Sequence, residues 1–328
     1  MSRFIRLAFA ACLSALWTST TVPAANPDWP KSLTLGTGSP GGVFYVYGET
    51  VAKIVTESLK IQVNDSPTQG SVHNVKLVES GGAQLALLTM GVGLQGWNGT
   101  GDWTSGQRYR KMRALFPMYD TPFQFVTLRR SGITTVAQFN NRNVGAGPRA
   151  GQGGVYVPAI LAASGVVSAK IHHAGYESVA VDLLDGRSDA LVVSGGAPFP
   201  ALKQVEAKEP LVFVSLTPEQ IEAIRKVMPD LTISEIASGV YTSLDKTYTT
   251  VGLYTFVIGR DDLPDELVYQ LVKAVFENQP RLAKATPVAS ETIPQNAVKN
   301  TFLPFHPGAL RYYREIGIKI PDALVPTN

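Results

Sequence analysis

Two glycine-rich stretches hold the residues of this chain best suited to chemistry, and that chemistry is anion binding. One reads LTLGTGSPGGVFYVYGETVA, from Leu33 to Ala52; the other reads VGAGPRAGQGGVYVPAILAA, from Val144 to Ala163. They lie about 110 residues apart. Each has an apolar strand-like run, a Gly-x-Gly turn, a small polar loop, then Gly-Gly-Val-aromatic and an amphipathic segment. A loop that opens a helix in this way presents unpaired backbone N–H groups at the positive end of the helix dipole. Two such sites suggest two similar lobes gripping one small anion between them.

The first loop, Gly36 to Gly41, also matches G-x-G-x-x-G, with Asp65 at the end of the next strand-like run. A dinucleotide site, a tight turn needing positive φ and a small-anion site all fit that spacing. The anion reading is favoured, because a chain bound for export has little use for a nicotinamide cofactor. On it, Gly38, Ser39 and Val43 meet a carboxylate through backbone or hydroxyl. Tyr45 hydrogen-bonds the same group and Phe44 packs below it, unless both are core aromatics. Ser71 and Asn74, at the start of the next helix, add hydrogen bonds; Ser71 is also the expected N-cap, and Asn74 reads equally as a surface residue.

From the second loop, Arg149 offers a guanidinium fork for a carboxylate, or is a solvated loop arginine. Gln152 and Gly153 follow it at the helix start. Ser194 and Gly195 end a later strand in small residues that let a ligand approach the backbone. Ser194 is not in a G-x-S-x-G elbow, and no base stands near it in sequence. Tyr241 is a further candidate in a glycine-containing stretch. His73 and the His172-His173 pair read as exposed. No His-x₃-His or paired carboxylate completes a metal site. Neither a metal nor a cofactor is expected.

These residues need elements to hold them. Apolar runs alternate with helical patterns, which argues α/β architecture with mostly parallel strands. Strand-like runs cover 31–35, 59–63, 84–89, 123–128, 170–173, 189–194, 211–216 and 251–260. Helical patterns cover 43–57 and 71–80, begin again at Gly153, Ser178 and Asp265, and close with 307–317. Thr217-Pro218-Glu219-Gln220 is a capping box with proline at the first helical position. His306 is placed to orient the tail helix by a backbone hydrogen bond. Trp97 to Arg113 reads as irregular. The order predicts a discontinuous first lobe, residues 26–122 plus 256–328, and a second lobe, 123–255. Crossings near Phe125 and Thr255 would form a hinge.

The chain has 328 residues, 45% apolar and 17% charged, enough for two globular domains. Residues 1–25 read as a secretory signal: Arg3 and Arg6, an apolar run to Trp17, and cleavage after Ala24 or Ala25. Lipidation of Cys12 is the rival reading. Cys12 is the single cysteine, so the exported chain would hold no disulfide and no thiol catalyst. The 29 basic residues less Arg3 and Arg6 leave 27 against 26 acidic. That balance gives no reason to expect nucleic acid or an anionic membrane surface as partner. No later stretch is long and apolar enough to insert in a membrane.

Seven segments together resemble the TAXI family of TRAP-transporter solute receptors. They are GTGSPGGVFYVYGETVA, GSVHNVKLVESGGAQLALL, WNGTGDW, VGAGPRAGQGG, LLDGRSDALVVSGGAP, YTTVGLYTFVIGRDDLPDELVYQLVKAVFEN and LPFHPGALRYYREIG. The resemblance implies a two-lobed α/β fold of the periplasmic binding protein type II kind, with two hinge crossings. It implies a periplasmic, non-catalytic receptor that delivers a small organic anion, such as glutamate or 2-oxoglutarate, to integral-membrane TRAP permease subunits driven by an ion gradient. The family loop usually resembles G-P-x-G-S-G; here Arg149 and Gln152 replace small residues, so the ligand could differ from glutamate. An exported sensor for a membrane kinase and an exported enzyme acting on organic acids are the alternatives.

Overall fold

The computed structural model describes residues 28–326. The expected signal segment, with Cys12 and its cleavage site, lies outside them.

The first α/β unit runs β1 (Ser32–Gly36), α1 (Val43–Leu59), β2 (Gln62–Ser66), α2 (Ser71–Ser80) and β3 (Leu85–Thr89). Its strands pair in parallel in the order β2-β1-β3. A second unit repeats the plan with β5 (Asn143–Gly145), α4 (Gln152–Ala163), β6 (Lys170–His172), α5 (Tyr176–Leu184) and β7 (Ala190–Ser194). Its order is β6-β5-β7, again parallel. The likeness between the two glycine loops is therefore one part of a repeated β-α-β-α-β unit. Between the units lie α3 (Met90–Asn98) and the long β4 (Met112–Leu128). After the second come α6 (Pro200–Glu206), β8 (Leu211–Phe213), α7 (Pro218–Val227), β9 (Thr232–Ile236) and β10 (Tyr248–Arg260). The tail packs α8 (Asp265–Glu277), α9 (Gln279–Ala285) and α10 (Pro307–Glu315).

The expectation of mostly parallel strands holds only within these two triplets. The centre of the sheet is antiparallel, because β4 and β10 run in opposite directions between them. Strand β10 pairs with β3 over Thr255–Gly259 and with β9 over Tyr248–Gly252. Strand β4 pairs with β10 over Met112–Pro122, then with β7 over Phe123–Val126 and β8 over Val126–Leu128. Both long strands thus change partner near the same level. Thr121 marks it: its Oγ1 donates to the Leu253 carbonyl at 2.6 Å.

Local signals explain several ends. Thr217 and Gln220 form the capping box at α7, with Pro218 in the first turn. The start of α2 departs from expectation: Gly70, not Ser71, is its N-cap. The apolar faces of α1 and α8 meet and share one buried cluster with residues of β1, β3, β4 and β10, with Val51, Ile54, Val55, Leu271, Val272 and Val275 buried. A second cluster joins Phe123, Phe125, Tyr156, Ile160 and Val192. No helix among the described residues is long and apolar enough to cross a membrane.

His306 caps α10, its Nδ1 accepting from the Gly308 N–H at 3.2 Å. Burial holds its imidazole pKa below the usual value, outweighing Asp265, whose exposed carboxylate lies 3.7 Å from Nδ1. The unfolded chain therefore takes up a proton first as pH falls, and stability drops below about pH 6.5. His306→Asn keeps a capping acceptor and removes the titration. Urea midpoints measured from pH 7.5 down to 5 should fall less steeply for the variant; equal slopes would contradict this account.

Candidate ligand-binding cleft

Helices that follow parallel strands start at the strands' C-terminal ends, where α/β proteins bind ligands. Here four helices start at one place. Their N-caps are Gly42 for α1, Gly70 for α2, Gly151 for α4 and Gly175 for α5, and none has a side-chain cap. The first turns of α1, α2 and α4 contain no acid, and the exposed Glu177 is the one acid in the first turn of α5.

Between them lies a cavity of about 20 Å³, room for roughly one water. On the side of the first repeat it is lined by Gly38, Ser39, Gly42, Val43 and Phe44, with Gln69 and Gly70. The second repeat contributes Gly151, Gln152, Tyr176, Ser194 and Gly195, and Phe199 closes the wall. No charged side chain is among them.

The two repeats touch directly. The Tyr176 N–H donates to Ser39 Oγ at 3.4 Å, and the Val72 N–H to the Ala150 carbonyl at 3.1 Å. The Ala201 N–H, from α6, donates to the Gly41 carbonyl at 3.0 Å. Gln152 Nε2 donates to Thr121 Oγ1 at 3.2 Å, and Ser194 Oγ to the Thr121 carbonyl at 3.1 Å. Thr121 therefore links two lining side chains to the level where β4 and β10 change partners. The Tyr176 ring meets Phe199 edge-on at 4.9 Å, and Phe44 meets Tyr119 in the same way at 6.4 Å. Burial pushes the Tyr176 hydroxyl pKa above its ordinary range, so the phenol stays neutral.

Of the thirteen residues expected to touch ligand, the cavity gathers Gly38, Ser39, Val43, Phe44, Gln152, Ser194 and Gly195. Six stand elsewhere. Tyr45, half-buried, is off the cavity wall, and Phe44 takes the place expected for it. Ser71 Oγ donates to Thr89 Oγ1 and accepts from the Thr89 N–H, both at 3.0 Å, tying α2 to β3. Asn74 is neither a surface residue nor a wall residue. It is fully buried and donates to the carbonyls of Gly36, Thr37 and Leu87 at 3.3, 2.8 and 2.7 Å. Arg149 is exposed and lines a separate outer pocket. Gly153 is held by packing: a Cβ there would overlap the Ala146 carbonyl.

Tyr241 is fully buried behind the wall. Its hydroxyl donates to Gln124 Oε1 and accepts from the Phe199 N–H, both at 2.6 Å, while Gln124 Nε2 donates to the Gly195 carbonyl at 3.0 Å. It thus positions two wall residues without touching the cavity. Tyr241→Phe would leave a buried N–H and a buried amide oxygen unpaired, and is expected to cost about 2–4 kcal/mol. Urea unfolding measures it; a loss below about 1 kcal/mol would contradict this role.

Sequence reasoning missed Gly42, Gln69, Gly70, Gly151, Tyr176 and Phe199. Three of these are glycines at helix starts, and the α2 and α5 starts correspond once the repeat is followed past its first helix.

Solved structures of the same architecture are distant in sequence. Periplasmic binding protein BugD is 12% identical, with a TM-score of 0.56 over 90% of this chain and 99% of its own. Rpa4515 of R. palustris, solved with adipate, is 16% identical, with a TM-score of 0.55 over 77% and 84%. A periplasmic transporter is 14% identical, with a TM-score of 0.53 over 80% and 87%. These likenesses show the fold, a mixed α/β architecture of the periplasmic binding protein type II kind. The NMT1-like family matches residues 35–317, and the chain belongs to that family.

Proposed function

We propose that this protein is an exported solute receptor that closes two lobes on a small organic anion and hands it to a membrane permease. One observation carries the reading: four helix N-termini without side-chain caps meet at a cavity with no charged wall residue. Converging dipoles and backbone donors favour an anion there. The direct ligands are Gly38, Ser39, Val43, Phe44, Gln152, Ser194 and Gly195. The lobes are residues 26–122 plus 256–328, and 123–255, turning about β4 and β10 where both change partners. Thr121, bonded to Gln152, Ser194 and Leu253, carries contact at the cavity to that turning point.

A cavity of about 20 Å³ is far below the roughly 300–1,000 Å³ of ordinary ligand pockets. Entry therefore needs the lobes to part, and holding a small organic acid needs the cavity walls to give while both lobes still contact it; a ligand held by both lobes favours the closed form. The TAXI resemblance supports a TRAP-type permease as partner, and glutamate, 2-oxoglutarate or a related dicarboxylate as ligand. Fold neighbours named as periplasmic binding proteins agree with a receptor outside the cytoplasm.

The test is a thermal-shift screen of residues 26–328, refolded to strip carried-over ligand, against mono- and dicarboxylates (adipate among them), amino acids and sugars. Ligand binding to the native state raises Tm by mass action. A rise with one acid class and none with sugars is expected. No rise with any carboxylate would overturn the ligand class.

A further inference from the structure

Outside the Val72–Ala150 contact, the cleft widens into a second pocket of about 680 Å³. This volume lies within the range of small-molecule sites. Its cations come from opposite sides: Lys76 from α2 and Arg149 from the loop before α4. Both are exposed, and neither forms an ion pair among the described residues. Asp102 is the one acid in the wall. Val72 and Val155 supply apolar surface, and Trp103 a half-buried ring. That ring is fixed: its Nε1–H donates to Gln95 at 3.0 Å, and Tyr109 packs on it at 5.2 Å. Lys76 Nζ stands 5.8 Å from its centroid.

We propose that this outer pocket is a second binding site, for an aromatic organic anion. Its acidic group lies between Lys76 and Arg149, and its ring packs on Trp103, Val72 and Val155. The inner cavity offers the complementary chemistry, backbone donors and no cation, so the two sites select different ligands. Arg149, expected from sequence to grip the inner carboxylate, serves the outer one. The wall is complete only while Val72 and Ala150 stay in contact. An occupant would therefore favour the closed form by linkage; this coupling rests on the two-lobe reading, whereas the site rests on its own walls.

Calorimetric titration of residues 26–328 with 2-naphthalenesulfonate, and with neutral 2-naphthalenemethanol, tests it. One sulfonate is expected per chain, with the alcohol about tenfold weaker or more. The Lys76→Gln/Arg149→Gln double variant should lose about tenfold for the sulfonate, keep its affinity for the alcohol, and keep its Tm. Raising salt should weaken the sulfonate in the wild type and scarcely in the variant. Equal binding of sulfonate and alcohol, no heat at millimolar sulfonate, or a double variant within twofold of wild type would overturn the proposal. These readouts do not use the inner ligand, so a failed carboxylate screen would overturn the inner ligand class and leave this site standing.

Discussion

Gly153→Ala is expected to destabilise the protein by about 3 kcal/mol or more, whether or not ligand is present. An added Cβ would overlap the Ala146 carbonyl oxygen and lie 2.7 Å from its carbon. Both sides of that contact are backbone, so no rotamer change relieves it. Ala146 cannot retreat easily, because its N–H donates to the His172 carbonyl at 3.0 Å, at the end of the β5–β6 ladder. Helix α4 cannot retreat either, since Tyr156, Val157, Ile160 and Leu161 are buried on its other turns. Gly165 supplies the comparison: its φ is +86°, but nothing stands within 4 Å of a Cβ there. Gly165→Ala should cost about 1–2 kcal/mol, the strain of a left-handed alanine alone. Urea midpoints at constant m decide between them. A Gly153→Ala loss no larger than that of Gly165→Ala would remove the packing role and return Gly153 to the list of ligand contacts.

That comparison shows where sequence reasoning worked and where it stopped. The repeated glycine loop was legible because it encodes local geometry, a strand end followed by a helix start. The capping box at Thr217 and the helix over 71–80 were legible for the same reason. Helix α3 was not. Gly91, Gly93 and Gly96 make Met90–Asn98 look like a loop, because glycine weakens an isolated helix. Packing overrides that preference here: a Cβ at Gly91 would lie 2.8 Å from Leu253, and one at Gly96 2.9 Å from Trp103. The strand-like run over 123–128 is only the end of β4, because Pro117 and Pro122 interrupt the pattern before it. Both prolines lie along the pairing with β10, which shifts register opposite Pro117.

The site was legible in its loops and illegible in its side-chain directions. Nothing in the spacing says that Gln152 faces inward and Arg149 outward, or that Asn74 is held by three carbonyls. Those directions depend on which segments meet across the cleft. The meeting is between Gln69-Gly70 and Ala150-Gly151, residues about 80 positions apart.

The same meeting supports the test most specific to closure. Gly151→Ala is expected to weaken binding of the inner ligand about 5- to 30-fold while leaving folding stability near wild type. Its φ of −113° and ψ of −169° are open to any residue, so alanine strains nothing locally. The Cβ would, however, stand 2.7 Å from the Gln69 carbonyl oxygen, across the cleft. Relief requires the two loops to part by a few tenths of an ångström or more, which loosens the 3.1 Å bond from the Val72 N–H to the Ala150 carbonyl. An overpacked contact costs about 1–2 kcal/mol. If closure provides the binding energy, that cost falls on the closed form and appears in Kd as the stated factor. Gly70→Ala is the poorer test, because its φ of +110° adds local strain and its Cβ would meet a milder contact, 3.1 Å from the Gly151 Cα. Titration of the acid found by screening gives Kd, and urea unfolding gives stability. A fall in both together would mean that the contact belongs to the folded core. An unchanged Kd would mean that ligand binds without bringing Gly70 and Gly151 together, and closure on the anion would have to be abandoned.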